Sequence, residues 1–203
     1  MILPPSFYQR TDVLAVAKEL LGKVLVTRFE GIVTSGIITE TEAYAGPADR
    51  ASHAYGNRRT TRTEVMYATG GVAYVYLCYG IHHLFNVVTN AGDIPHAVLI
   101  RAVEPLEGIE DMLLRRGKQR VTPQLTAGPG ALSMALGIRT GHTGVLLQGP
   151  EITIEDRGIK VSTKDIVATP RIGVAYAMED ALLPYRFFIG GNAFVSKGKY
   201  VTE

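Results

Sequence analysis

One carboxylate, one histidine and a group of tyrosines are the residues of this 203-residue chain best suited to act together on a ligand. Glu42 closes a β-branched run and is flanked by Thr41 and Tyr44. A carboxylate in that setting is either a solvated strand end or an acid/base group. His53 follows eleven positions later, and Tyr44, Tyr74, Tyr76 and Tyr79 are four of the ten tyrosines. On a strand, Tyr74 and Tyr76 share a face. Singly, each has an ordinary structural explanation: a hydrogen-bonding histidine, a cross-strand aromatic pair. Together they can hold a flat aromatic ligand beside an acid or base. Tyrosine offers a π face at low entropic cost and keeps a hydroxyl for bonding. A cationic heterocycle between such rings gains cation–π attraction as well.

Other chemistries fit the spacing less well. His53, His82, His83, His96, Glu42 and Asp49 are all possible metal ligands, but His82 and His83 are adjacent on an expected strand and point to opposite faces. No HxH, HExxH or CxxC spacing occurs. Neither Gly70-Gly71 nor Gly128-Pro129-Gly130 is followed by the Gly-Lys-Ser/Thr run of a phosphate-binding loop. No GxSxG elbow is present. No metal or cofactor is expected.

The elements that must position these residues follow from periodicity. Thr11 and Asp12 are helix-capping types. Val13, Leu14, Val16, Ala17, Leu20 and Leu21 then fall on one helical face, and Gly22 closes the helix. Lys23 to Arg28 and Gly31 to Thr41 read as two strands, the second running directly into Glu42. Asp49 to Glu64 is polar and Arg-rich and reads as an ordered loop with a short helix. Val72 to Thr89 is rich in β-branched and aromatic residues and breaks at Tyr79-Gly80, the pattern of a hairpin with its tip near Gly80. His96 to Val103 is apolar enough for a central strand. Pro105 suits the first turn of a helix over Leu106 to Arg116. Gly128-Pro129-Gly130 opens a short helix through Leu136. From Gly144 onward the short apolar runs read mostly as strands. Strands outnumber helices and few helical crossovers join them, so the expected fold is α+β on a mostly antiparallel sheet, as one domain over residues 1–203.

Composition sets wide limits. Hydrophobic residues make up 46% and charged residues 20%, an ordinary globular balance. A net charge of +2 permits nucleic-acid binding without arguing for it, because clustering on one face is what matters. Arg58, Arg59 and Arg62 form one cluster, and Arg115, Arg116, Lys118 and Arg120 another; on charge alone both read as solvated faces. Cys78 is the single cysteine, so no internal disulfide forms. The start, Met1-Ile2-Leu3-Pro4-Pro5, lacks a basic region followed by an apolar one, and no apolar run is long enough to span a bilayer. A soluble cytoplasmic protein is expected: bacterial, near the nucleoid, or nuclear if eukaryotic.

The motifs occur in a telling order. Thr39-Glu40-Thr41-Glu42-Ala43-Tyr44, Ala51-Ser52-His53, Tyr74-Val75-Tyr76-Leu77-Cys78-Tyr79-Gly80 and Leu99-Ile100-Arg101-Ala102-Val103-Glu104-Pro105-Leu106-Glu107-Gly108 are followed by Ala127-Gly128-Pro129, Pro170-Arg171-Ile172-Gly173-Val174, Arg186-Phe187-Phe188 and Phe194-Val195-Ser196. The chain resembles the alkyladenine (3-methyladenine) DNA glycosylase family of mammals and bacteria over nearly its whole length. The resemblance implies a curved antiparallel sheet like that of the formyltransferase C-terminal domain, with surrounding helices and a protruding hairpin. It implies a monofunctional glycosylase, expected as a monomer, that binds the minor groove of double-stranded DNA and flips an alkylated or deaminated purine into a pocket. By position, Glu42 is the implied general base for the water attacking C1′, and Arg101 supports that water and the flipped nucleotide's backbone. Tyr44, His53 and Tyr76 are implied walls for the base, the His53 amide a reader of its edge, and Asn86 an obstacle to the amino group of normal guanine. Tyr79 is the implied wedge in the vacated stack. Arg58 and Arg62 are available for the DNA backbone.

Three features depart from the family pattern. Ala131 stands where a cation is usual, Gly190 where Arg or Lys is common, and Ala177 to Tyr185 lacks the usual tryptophans. These losses bear on phosphate contact and C-terminal packing more than on chemistry. Phosphate contacts supply much of such affinity. Two other classes stay open on the sequence: a catalytically dead binder of distorted DNA, against which the retention of Glu42 and Arg101 argues, and an unrelated small-molecule enzyme or metalloprotein.

Overall fold

The computed structural model describes residues 1–198. A short helix α1 (Pro5–Tyr8) leads into α2 (Val13–Glu19). Asp12 caps α2, accepting from the Ala15 amide at 2.9 Å, a contact that stabilises a helix by about 1 kcal/mol. Val13, Val16, Ala17 and Leu20 are buried; Leu14, expected on the same face, is only partly so. The Thr41 hydroxyl donates to the Ala17 carbonyl at 2.9 Å, tying α2 to the strand that carries Glu42.

That strand is the spine of the molecule. β1 (Val24–Phe29) and β2 (Ile32–Tyr44) form the first hairpin. β3 (Ala73–Cys78) and β4 (His82–Thr89) form the second, and β5 (His96–Glu107) lies between β4 and β2. β6 (Ile152–Glu155) edges β1, while β7 (Ile166–Thr169) pairs β8 (Arg186–Ile189). The order β3-β4-β5-β2-β1-β6 is antiparallel throughout and curves into a half-barrel. The expected α+β class and protruding hairpin are both present. The first half of β2 pairs β1, whereas Glu40, Thr41 and Glu42 pair β8. Register shifts around Glu40 mark the change of neighbour. Such bulges bend a strand and re-aim its side chains.

The main core gathers α2, the inner sheet face and two further helices, α3 (Ile109–Arg116) and α4 (Pro129–Ala135). Leu20, Leu25, Ile38, Phe85, Ile100 and Phe187 are among its fully or nearly fully buried side chains. Burying each favours folding by roughly 1.5–3 kcal/mol. Among the described residues, no helix is long and apolar enough to cross a membrane.

Several expectations are corrected. Pro105 does not open a helix: β5 runs through it to Glu107, with Pro105 opposite Gly36 at a register shift. A proline is tolerated where a bulge relaxes the ladder. The break falls instead at Gly108, whose φ of 68° suits glycine, and the helix starts at Ile109. Glu42 is not a strand end, since β2 continues to Tyr44. Beyond Gly144, each strand has only four residues, and Ala175–Leu182 is a kinked 3-10 stretch. Arg115 and Arg116 are not simply solvated. Arg115 donates to Ala135 O at 3.0 Å and Arg116 to Leu125 O at 3.1 Å, fastening α3 to α4 and to the turn that precedes α4.

Candidate active site

The site is built where β2, β5, the second hairpin and the loop after β7 converge. Glu42 is completely buried. Its Oε1 accepts from the Ile172 amide at 2.7 Å and its Oε2 from the Tyr44 hydroxyl at 2.9 Å. Arg101 Nη1 lies 3.2 Å from Oε2. Burial works against the charge of Arg101, but Glu42 and Glu40 outweigh it and hold the guanidinium above its ordinary pKa. Burial, reinforced by the negative charge of Glu42, likewise keeps the Tyr44 hydroxyl protonated.

Two more buried carboxylates flank Glu42; the sequence offered Asp49 only as a possible metal ligand and gave Glu40 no role. Glu40 accepts from Arg101 Nε at 2.8 Å, Arg186 Nε at 2.6 Å, Ser196 N at 2.6 Å and Ser196 Oγ at 2.8 Å. Burial alone would raise the pKa of Glu40; Arg101 and Arg186 together lower it below the ordinary value. Asp49 accepts from Ala45 N, Ala51 N and both terminal nitrogens of Arg171. Arg171 is itself fully buried, and its guanidinium lies 4.9 Å from the Tyr44 ring centre. An ionised carboxylate has about four acceptor positions. Glu40 and Asp49 each fill four. Glu42 accepts only two hydrogen bonds, one on each oxygen. It is the carboxylate with acceptor capacity to spare.

Beside it lies an aromatic recess walled by Tyr44, His53, Tyr74, Tyr76 and Asn86. The His53 and Tyr76 rings meet edge to face at 4.6 Å, and Tyr74 and Tyr76 are 5.5 Å apart, sharing a face as expected. Asn86 Nδ2 donates to Tyr74 O at 3.1 Å and Leu84 O at 3.2 Å, which fixes the amide against the hairpin backbone. The recess has a volume of about 30 Å³, room for a water or two and not for a purine. It adjoins a cleft of about 550 Å³ that shares Tyr44, His53 and Tyr76 with it and is lined by Arg101 as well, a size usual for ligand sites.

Burial, followed by the charges of Arg62 and Arg58, lowers the pKa of His53 to about 4, so the ring is neutral at pH 7. Arg62 Nη2 lies 3.3 Å from Nε2, and Nδ1 lies 2.8 Å from the Tyr74 hydroxyl. Arginine cannot accept, so Nε2 is the acceptor and Nδ1–H donates to Tyr74. Arg62 also stacks over Tyr76, 4.9 Å from its ring centre. Arg59 is held by Glu64 and Asp93, while Arg58 is exposed.

The hairpin tip is a different surface. Tyr79 is 90% exposed, with Ile81 exposed beside it. Tyr79 and Gly80 have φ of 50° and 73°, the left-handed pair that a tight type I′ turn requires. Among the described residues, no three His, Cys, Asp or Glu side chains are grouped as a metal site.

The sequence therefore located Glu42, Tyr44, His53, Tyr76, Asn86 and Arg101 at one place, with Tyr79 at the tip. It missed Glu40, Asp49, Arg171, Arg186 and Ser196 as the frame. The available signals were the strand spacing of Glu40 and Glu42, which puts carboxylates on one side, and the Pro170-Arg171-Ile172 run.

The model of the family described as methylpurine-DNA glycosylase matches residues 6–193. A protein of Chlamydia felis is 50% identical over 93% of this chain and 96% of its own length. One from Bacillus mycoides is 50% identical over 97% and 100%. Both are provisionally named 3-methyladenine DNA glycosylases. The chain belongs to the methylpurine-DNA glycosylase family. Its class is that of the DNA glycosylases, hydrolases of base-excision repair whose substrate is DNA.

Proposed function

We propose that the protein excises alkylated or deaminated purines, of the 3-methyladenine, 7-methylguanine, hypoxanthine and ethenoadenine class, from double-stranded DNA. A base in a duplex shields its glycosidic bond, so it must leave the stack at a cost of roughly a few kcal/mol. The exposed Tyr79 suits a wedge that enters from the minor groove and restacks on the vacated neighbours. The flipped base parts the walls of the recess and stacks among Tyr44, His53 and Tyr76, with the His53 amide reading its edge. Asn86, held against the hairpin, excludes the amino group of normal guanine. Arg58 and Arg62 meet the DNA backbone; for Arg62 this requires leaving Tyr76. Action as a monomer is part of this reading.

A water on the free side of Glu42 attacks C1′ as Glu42 takes its proton. The C1′–N bond breaks, and its electron pair stays with the purine. A purine alkylated at N3 or N7 carries a positive charge before cleavage and leaves neutral. Hypoxanthine and ethenoadenine are neutral and need a proton on the ring to leave as easily. Arg101 supports the water and the backbone of the flipped nucleotide. The observation that carries this reading is the unfilled acceptor capacity of Glu42, the exception among the three buried carboxylates.

The test is release of methylated purines from a duplex under single-turnover conditions. A general base contributes roughly 10²–10⁴-fold. Glu42→Gln should lose at least that much while binding an abasic-site duplex as before. Substantial excision by this variant overturns the assignment.

A further inference from the structure

Resting on that reading of Glu42 and Arg101, we propose that Glu40 is a positioning residue for the reaction, acting through Arg101 and locked in place by Ser196. It stands two residues before Glu42 on β2, within the register shifts where the strand changes neighbours. The guanidinium of Arg101 is a rigid planar fork. Its Nε donates to Glu40 at 2.8 Å and its Nη2 to Ser196 Oγ at 3.3 Å. Two fixed directions of a rigid fork set the third. Nη1 therefore faces Glu42 Oε2 at 3.2 Å, as an ion-pair contact beside the hydrogen bond from Tyr44.

The alternative pairing shows what Glu40 prevents. An arginine next to a lone carboxylate turns to present two parallel N–H groups. Arg171 does this to Asp49, whose acceptor positions are then filled. If Glu40 did not hold Nε, Arg101 would be free to close on Glu42 in the same way and occupy the position the water needs. Glu40 is itself anchored from the far side, by Arg186 Nε at 2.6 Å and by the Ser196 amide at 2.6 Å. Ser196 belongs to a segment held to β2 again where Thr39 donates to Phe194 O at 2.5 Å. The C-terminal segment thus reaches the reacting carboxylate through two side chains, Glu40 and Arg101, without touching the substrate.

A double-mutant cycle separates positioning from mere structure. Glu40→Gln keeps the shape of the side chain and removes its charge. In the otherwise unchanged protein, it should slow single-turnover excision by about 100-fold, as an ångström-scale misplacement does. Affinity for an abasic-site duplex should stay within about threefold, below the tenfold that 1.4 kcal/mol represents. In an Arg101→Gln background, the same change should cost less than about twofold, because the residue it acts through is gone. Equal fold-losses in both backgrounds, or no loss in the first, overturn the proposal. If Glu40→Gln does not fold, Ser196→Ala is put through the same cycle, with a smaller loss expected that again vanishes without Arg101; a loss that persists there overturns it. Glu42→Gln, assayed in parallel, tells the two failures apart. Excision by Glu42→Gln overturns the general-base reading and this inference with it, whereas a dead Glu42→Gln beside an additive cycle overturns the role of Glu40 alone.

Discussion

Tyr44 separates two buried carboxylates that the fold treats in opposite ways. On one side, Asp49 takes two N–H groups from Arg171 and two backbone amides, and nothing is left over. On the other, Glu42 is as deeply buried but accepts only the Tyr44 hydroxyl and the Ile172 amide, with Arg101 alongside. Both carboxylates face arginines, so charge pairing does not distinguish them. Completeness of hydrogen bonding does. A saturated carboxylate can hold the chain but has no position from which to accept a proton. An unsaturated one buried to the same depth is costly unless the missing partner arrives with the substrate. Arg171 serves both sides: it closes Asp49 and stacks on Tyr44, whose hydroxyl then points at Glu42.

This contrast is broken or upheld most strongly by stability. Asp49→Asn leaves the guanidinium of Arg171 buried without its counter-charge, which costs about 3–5 kcal/mol. Glu42→Gln leaves Arg101 still paired to Glu40 and should stay within about 1 kcal/mol of the parent. Urea unfolding of the two variants checks the pair of values. Equal destabilisation removes the distinction between a holding and a reacting carboxylate.

The next effect is smaller and lies at the surface. Tyr79 supports nothing in the interior, so Tyr79→Ala should change unfolding by no more than about 0.5 kcal/mol. Base–aromatic stacking is worth about 1–3 kcal/mol, so affinity for a lesion duplex should fall roughly 5- to 150-fold. Unchanged affinity and an unchanged single-turnover rate remove the wedge. A large stability loss would show instead that the tip is part of the frame.

How far the sequence spoke follows from the same division. The residues proposed to react and to stack each lie in a short motif, and the order of motifs carries the family. The hairpin was legible from β-branched alternation and from Tyr79-Gly80, where two left-handed residues must follow one another. The frame was not. Glu40 meets Arg186 across 146 positions, and Asp49 meets Arg171 across 122; no local period encodes such a pairing. Pro105 was misread because its local preference for a helix start was overridden by the ladder between β5 and β2. Beyond Gly144 the strands are held by long-range pairing more than by their own pattern.

The smallest prediction carries the count of partners over to a neutral group. Both ring nitrogens of His53 are engaged, Nδ1–H with Tyr74 and Nε2 with Arg62. By the logic that separates Asp49 from Glu42, His53 holds the recess and does not exchange protons in the reaction. Its folded pKa of about 4 lies below the ordinary 6.5. Between those values the unfolded chain binds more protons than the folded one. The contribution of His53 to stability is therefore complete above pH 6.5 and is lost as pH falls toward 4. An NMR titration of the ring should show its midpoint near pH 4, and His53→Gln should flatten the acid side of the stability curve. A midpoint at or above the ordinary value would mean that the ring gains its proton without losing a partner. His53 would then join Glu42 as a group with unspent capacity, and the recess would hold two reacting groups instead of one.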